Sequence, residues 1–213
     1  TLRNGTIVGV KPFEGDTLLS MRQAHLVLDL GSVVRYLRRG SPIVIREIGF
    51  DQPTVNLRKR ADGVANWDIV RKQAGGGTDT TRAIDVALRD LRVNDGAVTI
   101  DDQQSRLLAS VKGLQGSLSG DFSKQKFTLS TRTRADSVSL RFAGIPYLSR
   151  VALNLNANIG ADLSTHRFTL ANDSIRLNNL VLALGGTVTT GAPDVAMDLT
   201  FRTPSTAFSE ILS

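Results

Sequence analysis

The feature that most limits this chain is a two-residue rhythm. In "AHLVLDL" Leu26, Leu28 and Leu30 fall on one side, and in "DSVSLRF" Val138, Leu140 and Phe142 do the same. "VALNLNANI" repeats it with Val151, Leu153 and Leu155, "HRFTL" with Phe168 and Leu170, and "VAMDLTF" with Val195, Met197, Leu199 and Phe201. Neighbouring side chains of an extended strand point to opposite faces, so this spacing predicts strands with one apolar and one wetted side. Turn signals punctuate the runs at Gly31, Asp62-Gly63, Asp95-Gly96, Gly120-Asp121, Gly185-Gly186 and Gly191. Short strands with few helical stretches between them predict an all-β, mainly antiparallel fold rather than βαβ units.

An internal repeat refines this. "IVIREIGFDQPTVNL" (43–57) aligns without gaps on "VALRDLRVNDGAVTI" (86–100), matching Arg46 with Arg89, Phe50 with Val93, Asp51 with Asn94 and Pro53 with Gly96. In both copies the alternation slips at a charged pair, the sequence trace of a β-bulge. The Asp/Asn and Pro/Gly positions beyond it are expected to turn the chain back, making each copy a hairpin. "IRLNNLVL" (175–182) repeats the first half, with Asn178-Asn179 in place of the charged pair. A sheet built from repeated hairpins is the expectation.

Helical signals are few. "GSVVRYLRRGSP" offers Ser32 as N-cap, Val33, Val34 and Leu37 as an apolar side, and three arginines toward the C-terminal end. "PSTAFSEILS" at the end of the chain is a second candidate helix. The glycine-rich 71–83 segment reads as a flexible loop. Because the repeat places one copy on each side of that loop, residues 1–213 are expected to form a single domain. The chain reads as a piece of something longer, with any targeting segment or anchor outside it.

Chemistry is sparse. There is no cysteine, which excludes disulfides and thiolate metal sites. His25 and His166 stand apart on polar strand sides, and Asp101 and Asp102 are adjacent, so they face opposite ways and cannot share a substrate. No nucleophile elbow, phosphate-cradling loop or dinucleotide fingerprint is present. A non-enzymatic protein without metal or cofactor is therefore expected. The net charge of +6 is carried mostly by arginine. Arg58 and Arg60 share a face, as do Arg132 and Arg134, but aromatics are not interleaved with them as base stacking would need. Nucleic acid is not the expected partner, whereas anionic headgroups gain from nearby arginines.

A sheet with one oily face must bury it on a second sheet, a helix layer or a ligand. Too few helices are predicted to cover it. Aromatics make up only 5% of the chain, which favours a curled, thinly filled interior over a tightly filled sandwich. An apolar trough left partly open would suit an acyl chain.

"IVIREIGFDQPTVNLRKRADGVANWDIV" resembles the N-terminal region of the AsmA-like family of bacterial envelope proteins. The resemblance runs through Asp51 and Pro53, Val55 and Leu57, Asp62 and Gly63, and then Asn66, Trp67, Asp68 and Ile69. "AHLVLDLGSVVRYL" before it and "LRDLRVNDGAVTIDD" after it also fit. The resemblance implies a taco-like, groove-bearing sheet in the periplasm, held to the inner membrane by an anchor outside this chain. It also implies a role in moving phospholipid between inner and outer membranes, with phospholipid acyl chains and other envelope proteins as partners. On that expectation Val138, Leu140, Phe142, Val151, Leu153, Leu155, Leu180, Leu182 and Leu184 line the groove. Asp51, Pro53, Asp62, Gly63, Asn66, Trp67 and Asp68 form a structural motif in which Trp67 plugs one end or edge of the sheet. The competing expectation is an envelope scaffold with a filled β core.

Overall fold

The computed structural model describes residues 1–39, 43–68, 86–121, 124–190 and 195–203. In chain order these form β1 (Leu2–Val8), β2 (Thr17–Leu28), α1 (Leu30–Arg39), β3 (Ile43–Asp51), β4 (Thr54–Lys59), β5 (Val86–Asp102) and β6 (Leu107–Ser119). They continue as β7 (Lys126–Phe142), β8 (Ile145–Asp162), β9 (Arg167–Leu177), β10 (Leu180–Thr190) and β11 (Val195–Arg202). The expected loop at 71–83 and the expected helix at 204–213 lie outside the described residues.

The fold is all-β. Every strand joins one mixed, mostly antiparallel sheet in the order β1-β2-β3-β5-β6-β7-β8-β9-β10-β11, with β4 also paired between β2 and β5. From β5 to β11 the chain runs as a meander of antiparallel neighbours.

The repeat behaves differently from the hairpins expected of it. Each copy runs straight through: β3 and β4 lie end to end, and both pair in parallel with β5. The register is the sequence alignment itself, with Ile43 opposite Val86, Asp51 opposite Asn94, and Lys59 opposite Asp102. Asp51-Gln52-Pro53 and Asn94-Asp95-Gly96 are matching bulges rather than turns, with Gln52 at φ 48° and Asp95 at φ 52°. They are stitched side by side. Asn94 Nδ2 donates to Asp51 Oδ1 at 2.8 Å, Gln52 Nε2 to Asp95 Oδ2 at 3.1 Å, and the Gln52 N–H to the Asn94 carbonyl at 2.8 Å. Like residues at like positions satisfy one another, so identical bends can stack. The half-copy at 175–182 does turn, closing the β9–β10 hairpin with Asn178 at φ 50°. Gly185-Gly186, expected as a turn, lies inside β10 beside a register shift, as strand glycines at bulges do. The slip expected at the charged pair is present in β3, where Val27 faces Glu47 and Leu28 faces Ile45, leaving Arg46 as the extra residue.

The bulges are aligned. Positive φ recurs at Asn4 on β1, Gln52 between β3 and β4, Asp95 on β5, Gly113 on β6 and Arg150 on β8. The register makes these positions near neighbours across the sheet. At this crease the apolar positions change parity: Phe50 gives way to Val55, Val93 to Val98, Val111 to Leu114, and Ala135 to Val138. One inserted residue per strand keeps the apolar residues on one face while the strand bends and twists more sharply. At Gly113, φ +62° and a Cβ position that would run into the Asp136 carboxylate both require glycine.

The helix starts earlier than its sequence suggested. Asp29, not Ser32, is the N-cap, its Oδ1 accepting the Ser32 N–H at 2.9 Å. Leu30 and Gly31 therefore belong to the helix rather than to a strand and a turn. Ser32 is completely buried and rivets helix to sheet: its hydroxyl donates to the Asp29 carbonyl at 2.6 Å and accepts the Val44 N–H at 2.9 Å.

Beyond contacts between neighbouring strands, the substantial contact between elements is that of α1 with β3. With every described strand in one sheet and few of its side chains fully buried, the described residues form a single layer. The chain exposes 14676 Å², where a compact monomer of its mass exposes about 9,600 Å². Among the described residues the buried hydrophobic side chains are Phe13, Leu18, Ala135, Ala157 and Ala161, three of them alanines, and Pro53 is buried as well. No large aliphatic core formed by the described residues stands behind this sheet.

Candidate functional site

The β-ladder registers show what the single layer presents. Directly paired residues project from the same face, and the pairs join into apolar rows running across many strands. One row passes through Leu2, Ala24, Phe50, Val93, Gly116, Thr133, Leu155, Ile175 and Leu182, from β1 to β10. On the other side of the crease a second row runs through Ile7, Leu19, Val55, Val98, Val111, Val138 and Val151. Further rows join Leu57, Ile100, Ala109, Leu140 and Leu148, and Phe127, Ala161, Phe168, Val188 and Met197.

All nine residues expected to line a groove fall on this face. Val138 faces Val151, and Leu140 faces Leu148. Leu153 faces Leu177, which faces Leu180, and Leu155 and Leu182 flank Ile175. Leu184 faces Phe201, and Phe142 faces Ile145 at the end of the sheet, 45% exposed. The other eight are half-buried, shielded by neighbours on the same face. Sequence reasoning missed the other half of the face, on β1 to β6. The signal was in the repeat, whose matched apolar pairs Ile48–Leu91, Phe50–Val93, Val55–Val98 and Leu57–Ile100 are the rows themselves.

The motif residues hold one corner of this face. The Asp62-Gly63 turn folds 60–66 back on the end of β4, with the Arg60 N–H on the Val64 carbonyl at 2.9 Å and Asp62 Oδ1 accepting the Val64 N–H at 3.2 Å. Asn66 closes it. Only 2% exposed, it accepts the Arg58 N–H at 2.9 Å, donates Nδ2 to the Asn56 carbonyl at 2.7 Å, and donates its own N–H to the Arg58 carbonyl at 2.9 Å. Asp68 is exposed, and its N–H donates to the Ala65 carbonyl at 3.2 Å. Trp67 does not plug the sheet: it is 43% exposed. A single layer offers no second wall to enclose an indole, so the amide beside it does the locking. Pro53 is buried in the crease, and Asp51 pairs with Arg22 there.

The opposite face is hydrophilic. Ser117, Arg132, Asn156 and Ser174 form one row, and Ser119, Ser130 and Asn158 the next. They border a depression of about 870 Å³, which also reaches Thr131, Ala157 and Asp173. Asp173, opposite Leu184 and so on the apolar side by register, is 4% exposed. Its Oδ1 takes the Asn158 N–H at 2.7 Å where the β8–β9 register shifts, so it substitutes for a missing ladder partner.

Electrostatics serve the fold. Asp29 is held below the ordinary carboxyl range by the Arg46 guanidinium at 2.6 Å and by the Ser32 N–H. Asp51 is lowered by the Asn94 amide and by Arg22, Asp102 by the Ser105 N–H, and Asp162 by the Ser164 hydroxyl and Lys126. His25 pairs with Glu47 at 2.8 Å, and Arg58 with Asp16 at 2.7 Å. Arg134 donates to Gln115 at 3.0 Å. His166 sits at the β8–β9 turn with φ 52°. Among the described residues no three His, Cys, Asp or Glu side chains gather as metal ligands, and no helix is long and apolar enough to cross a membrane.

What this arrangement offers is a broad apolar surface, creased across its strands, with nothing from the described chain laid over it. Comparison with known proteins finds no matching family model, no matching curated protein and no matching solved structure.

Proposed function

We propose that this chain is a non-enzymatic lipid-binding module whose apolar sheet face takes up phospholipid acyl chains. On this reading it is a piece of an AsmA-like periplasmic protein anchored in the inner membrane, and it serves phospholipid movement between the two membranes. One observation carries the reading: mainly apolar rows, the longest interrupted at Gly116 and Thr133, cross up to nine strands of a single-layer sheet that no second layer covers among the described residues. Each acyl methylene removed from water on such a surface gains about 0.8 kcal/mol, and a non-directional surface accepts a chain in any register. Of the residues quoted for the AsmA-like resemblance, Asp51 and Pro53 lie at the crease, Val55 and Leu57 on this face, and Asp62, Gly63, Asn66, Trp67 and Asp68 at its Asn66 corner, while Ile69 lies outside the described residues.

Native mass spectrometry and lipid extraction of the purified chain test the proposal. Co-purified phospholipid is expected, along with its loss in Leu155→Asp, which places a charge within the longest row. A clean apo mass, with Leu155→Asp merely destabilising the chain, would favour the scaffold reading with partners at the sheet edges.

A further inference from the structure

Helix α1 carries two faces, and only one of them belongs to the sheet. Ser32 is fully buried against Val44, and Tyr36, one turn on, is half-buried. Directly opposite, at i, i+4 and i+7, stand Leu30, Val34 and Leu37, exposed by 78%, 47% and 78%. Residues at this spacing form an apolar stripe, and here the stripe points away from the protein.

Its charge decoration is one-sided in sign. Arg35, Arg38 and Arg39 are exposed, and the helix has no acidic residue. Arg35 reaches only Asp29, at 4.0 Å, and Asp29 already holds Arg46 at 2.6 Å. Arg38 and Arg39 have no carboxylate within 4.0 Å among the described residues. Leu28 and Leu26, exposed by 39% and 51%, carry apolar surface from the helix's first turn onto the sheet face.

We infer that α1 is an interfacial helix that lays Leu30, Val34 and Leu37 into the surface of an anionic phospholipid bilayer, with the three arginines at the headgroup phosphates. Charge complementarity selects this occupant: the helix carries three exposed arginines, two of them, Arg38 and Arg39, with no carboxylate partner among the described residues, beside a stripe too narrow to bury a protein partner's core, and flexible arginines can reach phosphates while their stems stay apolar. At ten residues the helix is about 15 Å long, too short to span a bilayer, so it lies flat. The inference deepens the lipid reading above, because a helix seated in a bilayer would bring the end of the apolar face to a supply of acyl chains, but it is measured separately.

The experiment is flotation of the purified chain with vesicles of phosphatidylethanolamine and phosphatidylglycerol, and with vesicles of phosphatidylcholine alone. Binding is expected to the anionic vesicles, weakened by salt. Replacing Arg35, Arg38 and Arg39 together by Gln should weaken it about a hundred-fold, near five-fold for each arginine. Leu30→Ser with Leu37→Ser should abolish it, and circular dichroism should be unchanged because these side chains support no packing. Absence of wild-type binding, equal binding to both vesicle types, or binding that survives both sets of substitutions would overturn the inference. Native mass spectrometry of the same variants keeps the two proposals apart. If vesicle binding is lost while co-purified lipid persists, the sheet reading stands independently of the helix; if vesicles are bound and lipid never co-purifies, only the helix reading stands.

Discussion

The sheet joins two regions that solve the register problem differently. In the first, the repeat copies 43–59 and 86–102 lie parallel, where no tight turn can set their offset. Their register is written in side chains, Asp51 on Asn94 and Gln52 on Asp95, at the two bends. In the second, the meander from β5 to β11, each strand pairs with its predecessor in the chain, and local irregularities are absorbed one strand pair at a time. Asp173 patches the β8–β9 slip, and Gly186 relaxes the β10 one. Sequence repetition is therefore informative where strands pair in parallel, because like residues can then sit side by side. In the meander, backbone permissiveness matters more.

Four substitutions break or sharpen that contrast. Gly186→Ala should be the most damaging. The residue has φ +123°, and a Cβ there would strike the Asp198 carbonyl of β11, so a loss of about 2–3 kcal/mol from backbone strain alone is expected. Chemical denaturation measures it, and a near-neutral result would mean that the meander does not depend on its glycine bulge. Asn66→Ala, at the end of the parallel pair, should cost about 2 kcal/mol, because it leaves strand β4 groups without buried partners. Trp67→Ala should cost under about 1 kcal/mol, as exposed positions usually do. Melting curves that reverse this order would restore the indole as the lock.

Asp51→Asn should have the smallest effect and an acid-dependent one. Asn94 and Arg22 hold the Asp51 carboxyl below its ordinary 3.8 in the folded chain. A depressed carboxyl contributes stability that is complete above the unfolded value and is lost as pH falls through the folded one. Wild type should therefore be more stable than Asp51→Asn at neutral pH, and the gap should close below about pH 4. A gap that is constant with pH would mean that the parallel register rests on backbone pairing alone.

Much of this was legible beforehand, and the failures share a cause. Alternation located the strands around Leu26, Val138, Leu153, Phe168 and Met197, and it placed all nine expected lining residues on one face. The bulge at Arg46 was visible as a slip in that alternation. Asp95-Gly96 and Gly185-Gly186 were misread as turns because glycine beside Asp or Gly suits a reversal and a bulge equally well. What separates the two is whether the next strand pairs with its own predecessor or with one far away. Ser32 was displaced as N-cap for a similar reason: Asp29 is an equally good cap, and Val44 from β3 claimed the serine hydroxyl. Trp67 was expected to be buried because indoles usually are, but a one-layer sheet has nowhere to put it.

The linear pattern by itself determined the strand content, the two-faced character of the sheet and the equivalence of the two repeat copies, because period and residue type act locally. Only the tertiary structure decided that the copies stand parallel and that their bends align with others into one crease. It alone decided that the helix turns its leucines outward. Each of these depends on which distant strand comes to lie alongside, and pairing free energy is settled between segments rather than within them.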